Sequence, residues 1–170
     1  MRARVILYAI LIFIFVTVQV TFLNFIDIFG VKPNLIIILI VSISLLEGRK
    51  YGSAVGFFAG LCLDSVAGIA LGYQTLIGML LGILLGNINK RFFKENILVM
   101  LICTFISTIL YESAIVLMSH TVGLRINYIE MFKSIVLPEA AINSFVGVFI
   151  FFLLVVIHRR LSSLDVKNRY

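Results

Sequence analysis

Residues 51–86 read YGSAVGFFAGLCLDSVAGIALGYQTLIGMLLGILLG. Gly52, Gly56, Gly60, Asp64, Gly68 and Gly72 fall four residues apart, and Gly78, Gly82 and Gly86 repeat the spacing in the next apolar run. Residues four apart share a helix face, so each run carries a stripe almost bare of side chains. Between helices in lipid, association relies on close van der Waals packing, and small-xxx-small stripes let backbones approach. Such stripes either fit this chain's own helices together or offer a face to a partner; a helix has two sides, and both uses stay open.

The rest of the chain supplies the lipid setting. Of 170 residues, 62% are hydrophobic and 13% charged, and tryptophan is absent; mean hydropathy is +1.17. Soluble domains carry about 25% charged residues, and a single domain of this size could not hide so much apolar surface from water. A cytosolic enzyme and a free nucleic-acid-binding module are excluded. The net charge of +6 reads as a basic cytoplasmic rim. Cys62 and Cys103 lie in apolar runs with no CxxC partner or neighbouring histidine, so they read as small hydrophobes, with no metal or redox role and no cofactor. The apolar stretch after Arg2 and Arg4 is longer than a signal-peptide core and lacks an A-x-A-like site, which makes it an uncleaved first span.

Crossing the ~30 Å hydrocarbon core takes roughly 20 helical residues. The expected spans are about 5–26, 33–46, 52–66, 68–88, 97–118 and 136–157, within one integral membrane domain over 1–170. Pro33 opens the short second span, and Pro138 falls in the first turn of the last, where a missing N–H costs little. Six spans place Arg2, Arg4, Arg49, Lys50, Lys90, Arg91, Lys94, Arg159, Arg160, Lys167 and Arg169 on one side, against Lys32, Arg125 and Lys133. Eleven against three is a strong positive-inside bias, whereas a re-entrant pair with five spans would strand a basic cluster outside. The expected fold is therefore an all-α membrane protein of six transmembrane helices with both termini cytoplasmic.

Within the outer loop, Tyr128, Phe132, Ile135 and Val136 recur at helical spacing opposite Asn127, Glu130, Lys133 and Ser134. The pattern suits either a short interfacial helix or a partly ordered loop. Polar residues gather at the same outer depth: Gln19, Asn24, Asp64, Tyr73, Gln74, Glu112, Glu139 and Asn143. Ionisable groups in a membrane pair or line cavities, which points to a polar groove open to the outer leaflet, with Arg125, Lys133 and His120 as candidate partners of Glu112 or Glu139. Asp64 and Glu139 could equally cap helix ends. No acid continues the path inward, so a proton or cation relay is not expected. GxSxG, HExxH, P-loop and GxGxxG patterns are missing, and His120 and His158 fall on opposite sides, so no catalytic residue or metal site is assigned.

The run Gly56–Gly72 has the form G-F-x-x-G-x-x-x-D-x-x-x-G-x-x-x-G, and with the Pro33-Asn34-Leu35 opening, the length and the basic ends it resembles the rod shape-determining protein MreD family of bacteria. The resemblance implies a non-enzymatic component, without cofactor, of the inner-membrane machinery that builds the lateral wall. It implies MreC as the direct partner, and RodA, a class B penicillin-binding protein and MreB in the same complex. It also implies a fold similar to the substrate-binding subunits of energy-coupling-factor transporters.

Two readings follow. One is a scaffold that binds a partner's transmembrane segment, with Gly56, Gly60, Asp64, Gly68, Gly72, Gly78 and Gly82 as partner-binding or helix-packing residues and Gln19, Asn24, Asp64, Glu112 and Glu139 as the outer polar groove. Asp64 would bond a partner's backbone or a neighbouring helix end, and the basic loops would meet anionic lipid headgroups. The other is a vitamin-transporter subunit with its ligand in that groove. The lack of tryptophan and the placing of most phenylalanines in plain apolar runs favour the scaffold over an aromatic-lined ligand pocket.

Overall fold

The computed structural model describes residues 2–21, 30–67, 72–88, 95–121 and 127–167, and the side chains of 4–21, 30–66, 72–88, 95–119 and 127–160. Among these residues the elements are helices α1 (Arg2–Thr21), α2 (Leu35–Glu47), α3 (Arg49–Ala67), α4 (Tyr73–Ile88), α5 (Ile97–Thr121), α6 (Tyr128–Met131) and α7 (Leu137–Lys167). Asn24, Gly68 and Arg125 lie outside the described residues, as does the side chain of His120. Three stretches are long and apolar enough to cross a bilayer: Arg4–Thr21, Ile97–Ser119 and Tyr128–Arg160; α2 and α4 are apolar but shorter.

α2 is the centre. Its sequence, LIIILIVSISLLE, is apolar all round, and every residue from Ile36 to Leu46 is at most 2% exposed. α1, α3, α4, α5 and α7 all touch it, so it is walled by protein and its 13 residues need not match the bilayer by themselves. Its two serines face no lipid either; the Ser42 hydroxyl donates to the Ile38 carbonyl at 2.7 Å. Gly48 is the whole connection to α3. It adopts φ +85°, ψ −171°, a conformation essentially reserved for glycine, which permits the reversal in one residue.

α3 and α4 form the tightest pair in the bundle. Gly56 and Gly78 face each other, as do Gly52 and Gly82, while Gly60 meets Gln74 and Gly86 meets Arg49. A Cβ on Gly78 would stand 2.7 Å from the Gly56 carbonyl oxygen, and one on Gly60 only 2.5 Å from that of Gln74. Backbone therefore lies on backbone along both stripes. Gly72, by contrast, has open space around its Cα and is held by its φ of +102° at the mouth of α4.

The last rod departs from the expected 136–157 span. α6, the wide turn Phe132–Val136 and α7 are continuous, so Pro138 stands inside a helix over 128–167 instead of in its first turn. Lacking an N–H, Pro138 leaves the Ser134 carbonyl without its usual donor and crowds it. The chain answers with a π-type turn just before it, in which the Leu137 N–H reaches back five residues to the Phe132 carbonyl. Tyr128 and Ser113 hydroxyls are 3.0 Å apart, and the Asn143 amide meets the Thr108 hydroxyl at 3.2 Å. These contacts are far more widely spaced on the last rod than on α5, so the segment before Pro138 leans across the C-terminal end of α5. The other helices shift from expectation by a few residues: α3 starts at Arg49 directly after the Gly48 turn, and α4 starts at Tyr73.

Gly56→Ala and Gly78→Ala should each destabilise the detergent-solubilised protein by about 1–3 kcal/mol, the cost of forcing a methyl into a packed contact. The double variant should cost less than the sum, because either methyl opens the same interface. Thermal unfolding followed by circular dichroism measures both; strict additivity would contradict the facing arrangement.

Candidate functional site

Several buried polar side chains of the bundle close helix ends. The first turn of a helix has N–H groups with no intrahelical acceptor, and within lipid each one left bare costs several kcal/mol. For α4 the acceptor is Asp64, which projects from the last turns of α3 and is 2% exposed. Its Oδ2 accepts from the Gly72 and Thr75 N–H groups at 3.0 and 2.9 Å and from the Thr75 hydroxyl at 2.5 Å; its Oδ1 accepts from the Gln74 N–H at 3.0 Å. The negative charge also sits on the positive end of the α4 dipole. Gln74 Oε1 in turn accepts from the buried Tyr111 hydroxyl at 3.3 Å, tying this corner to α5. Asp64 thus bonds a neighbouring helix end.

The N-terminal end of α2 draws its acceptors from its own cap residue and from two other helices. Asn34 caps it, with Oδ1 accepting from the Ile37 N–H at 3.2 Å. The Asn34 N–H donates to Asn143 Oδ1 of α7 at 2.7 Å, and the Leu35 N–H to Gln19 Oε1 of α1 at 2.8 Å. Gln19 returns a bond to the Pro33 carbonyl at 3.3 Å. Asn143 continues to Thr108 of α5 and to Glu139, one turn back on α7, at 3.2 and 3.3 Å. Glu112 of α5 lies near the Asn34 side chain. Gln19, Glu112, Glu139 and Asn143 thus gather around the start of α2, while Asp64 closes a separate helix end beside them. Lys133 is exposed and makes no ion pair with either glutamate.

A second cluster, at the opposite end of α2, is absent from the expected groove. Glu47 is the last residue of α2, and its side chain is 5% exposed. Oε2 accepts from Arg4 Nη1 at 2.8 Å; Oε1 accepts from the Tyr8 hydroxyl at 2.5 Å and meets His158 Nδ1 at 2.8 Å. The start of α1, the finish of α2 and the C-terminal half of α7 are thereby joined. Farther out, Arg159 pairs with Glu95. Asn34 was signalled locally, standing just before an apolar run in the N-cap position. Nothing local pairs Glu47 with a histidine 111 positions away.

An all-helical membrane protein whose buried polar groups clamp helix ends is the class this arrangement defines. The family model described as rod shape-determining protein MreD matches residues 1–161, and the chain belongs to that family. Membership makes it a membrane protein that determines rod shape, in the complex that includes MreC. The family is one of structural proteins. No curated protein and no solved structure matches the chain.

Asp64→Ala removes the acceptor of three N–H groups and one hydroxyl in a water-poor site, at about 1–3 kcal/mol for each group left bare. The variant should be severely destabilised, with Asp64→Asn in between because one amide oxygen still accepts. Yield and thermal midpoint in detergent measure the order; an Asp64→Ala protein as stable as the parent would refute the capping role.

Proposed function

We propose that the protein is a non-enzymatic scaffold of the cell-elongation complex that supports rod shape and lateral-wall peptidoglycan synthesis by binding MreC, with RodA, a class B penicillin-binding protein and MreB in the same assembly. It crosses the cytoplasmic membrane six times with both termini inside, the arrangement that the charge asymmetry favours. The observation that carries the reading is the engagement of Asp64, Glu47 and Asn143 by the chain's own backbone and side chains. These groups serve to fix the helices, and the same engagement argues against a metabolite pocket at the outer end.

Partner contact then falls to the outside of the bundle. α5 exposes Ile102, Phe105, Ile106 and Leu110, and α7 exposes Phe145, Phe149 and Phe152. Leu101, Ile102, Phe105, Ile106 and Ser144 line a shallow apolar concavity between the two helices. A shallow apolar concavity with a single serine among bulky side chains suits a single transmembrane helix such as that of MreC. The glycines at 56, 60, 78 and 82 support this surface indirectly, by holding α3 against α4.

Affinity purification of the tagged protein from native membranes should recover MreC, and loss of the protein should round the cells. Ile106→Trp fills the concavity from a half-exposed position and should lower MreC recovery about tenfold, or roughly 1.4 kcal/mol, at unchanged thermal midpoint. Undiminished recovery would place the contact elsewhere; failure of the parent protein to recover MreC would overturn the scaffold reading.

A further inference from the structure

We propose that the arm formed by residues 127–137 lies in the membrane–water boundary, with one face among the lipid acyl chains and headgroups and the other in water. Three observations carry the assignment. The arm is two-faced: Tyr128, Ile129, Met131, Phe132, Ile135 and Val136 fall to one side, and Asn127, Glu130, Lys133 and Ser134 to the other. The middle of the apolar side is already covered, with Val136 fully buried and Met131 and Phe132 half-buried, while Ile129 and Ile135 flank it at 68% and 40% exposed. Every residue of the polar side is exposed.

The arm's placing fits the same boundary. It is continuous with α7 yet turned from it by the wide turn before Pro138, and the Tyr128–Ser113 contact draws it over the end of α5. There α5 remains apolar through Leu117, which is 72% exposed and only four residues beyond Ser113. A helix that leans across the rim of a bundle, with isoleucines to its flanks and charges on its back, matches the chemistry of an interfacial helix. Bulk water would leave those isoleucines unburied, and the bilayer interior would strand Glu130 and Lys133. Tyr128 has the amphipathic ring found at headgroup level. Contact with the bilayer does not depend on which leaflet is involved; the outer leaflet follows from the topology proposed above.

The chain has no tryptophan, so a single introduced indole reports one position. Ile129→Trp and Ser134→Trp proteins are reconstituted in phosphatidylcholine–phosphatidylglycerol vesicles and exposed to lipids brominated near the headgroup end of the acyl chain, and separately to iodide present on both sides of the membrane. Ile129→Trp should emit at shorter wavelength and lose intensity to the brominated lipid; Ser134→Trp should lose intensity to iodide. Equal quenching of both by iodide would put the arm in water. Protection of Ile129→Trp from both quenchers would mean that protein covers it. Either result overturns the proposal, and Ile135→Trp, expected to behave as Ile129→Trp, replaces it if that variant does not fold. Sidedness is read independently by adding iodide to one face only, so an inverted topology and a detached arm give different results.

Discussion

A helix that is apolar on every side and walled in by other helices has one need its apolar flanks cannot meet: partners for the open N–H and C=O groups at its ends. α2 is such a helix, and most of the polar architecture answers to it. At its start, Asn143, Gln19 and Asn34 receive backbone N–H groups. At its finish, the Gly48 N–H returns to the Ser44 carbonyl, and Glu47 gathers Arg4, Tyr8 and His158. Helices α1, α5 and α7 are thus fastened around α2 through its termini, while its flanks contribute chiefly apolar contact. α1 shows the division well: Tyr8, Leu11 and Ile12 face the core, whereas Val5, Ile6, Ile10, Phe13 and Ile14 are exposed.

The α3–α4 pair solves a different problem. Neither helix is driven to the other by water, so contact must come from shape, and the facing glycines bring the two backbones together. Asp64 then fixes register by gripping the first turn of α4. A stripe without an end clamp could slide by a turn; a clamp without the stripe would leave the rods apart. The two devices occupy one signature run, which explains why glycine and aspartate share a single spacing of four.

Much of this was legible in the chain. Apolar runs and glycine spacing located the helices, and the depth of Gln19, Glu112, Glu139 and Asn143 grouped residues that do lie together. The grouping left purpose open, because depth alone does not separate a groove from a set of helix caps; the direction of each bond adds that information. The burial of α2 was hidden for a related reason. An all-apolar helix in a soluble protein must be internal, but in lipid the same composition suits a central or a peripheral position equally. The Glu47 cluster depends on residues from three helices, and no periodicity within one segment carries such information. Pro138 was read as a helix start by its usual preference, which the wide turn before it overrides.

The clamps on α2 also impose an order in time. Gln19 precedes α2 in synthesis and is ready at once, but Asn143 and His158 are 109 and 111 positions from the groups they meet. Until the final helix leaves the ribosome, the Asn34 N–H and the Glu47 carboxylate lack partners that the finished molecule provides. A chain interrupted before α7 would keep the bonds from Gln19, Arg4 and Tyr8 but lose one clamp at each end of its most apolar segment, which would leave that segment loosely held in the membrane.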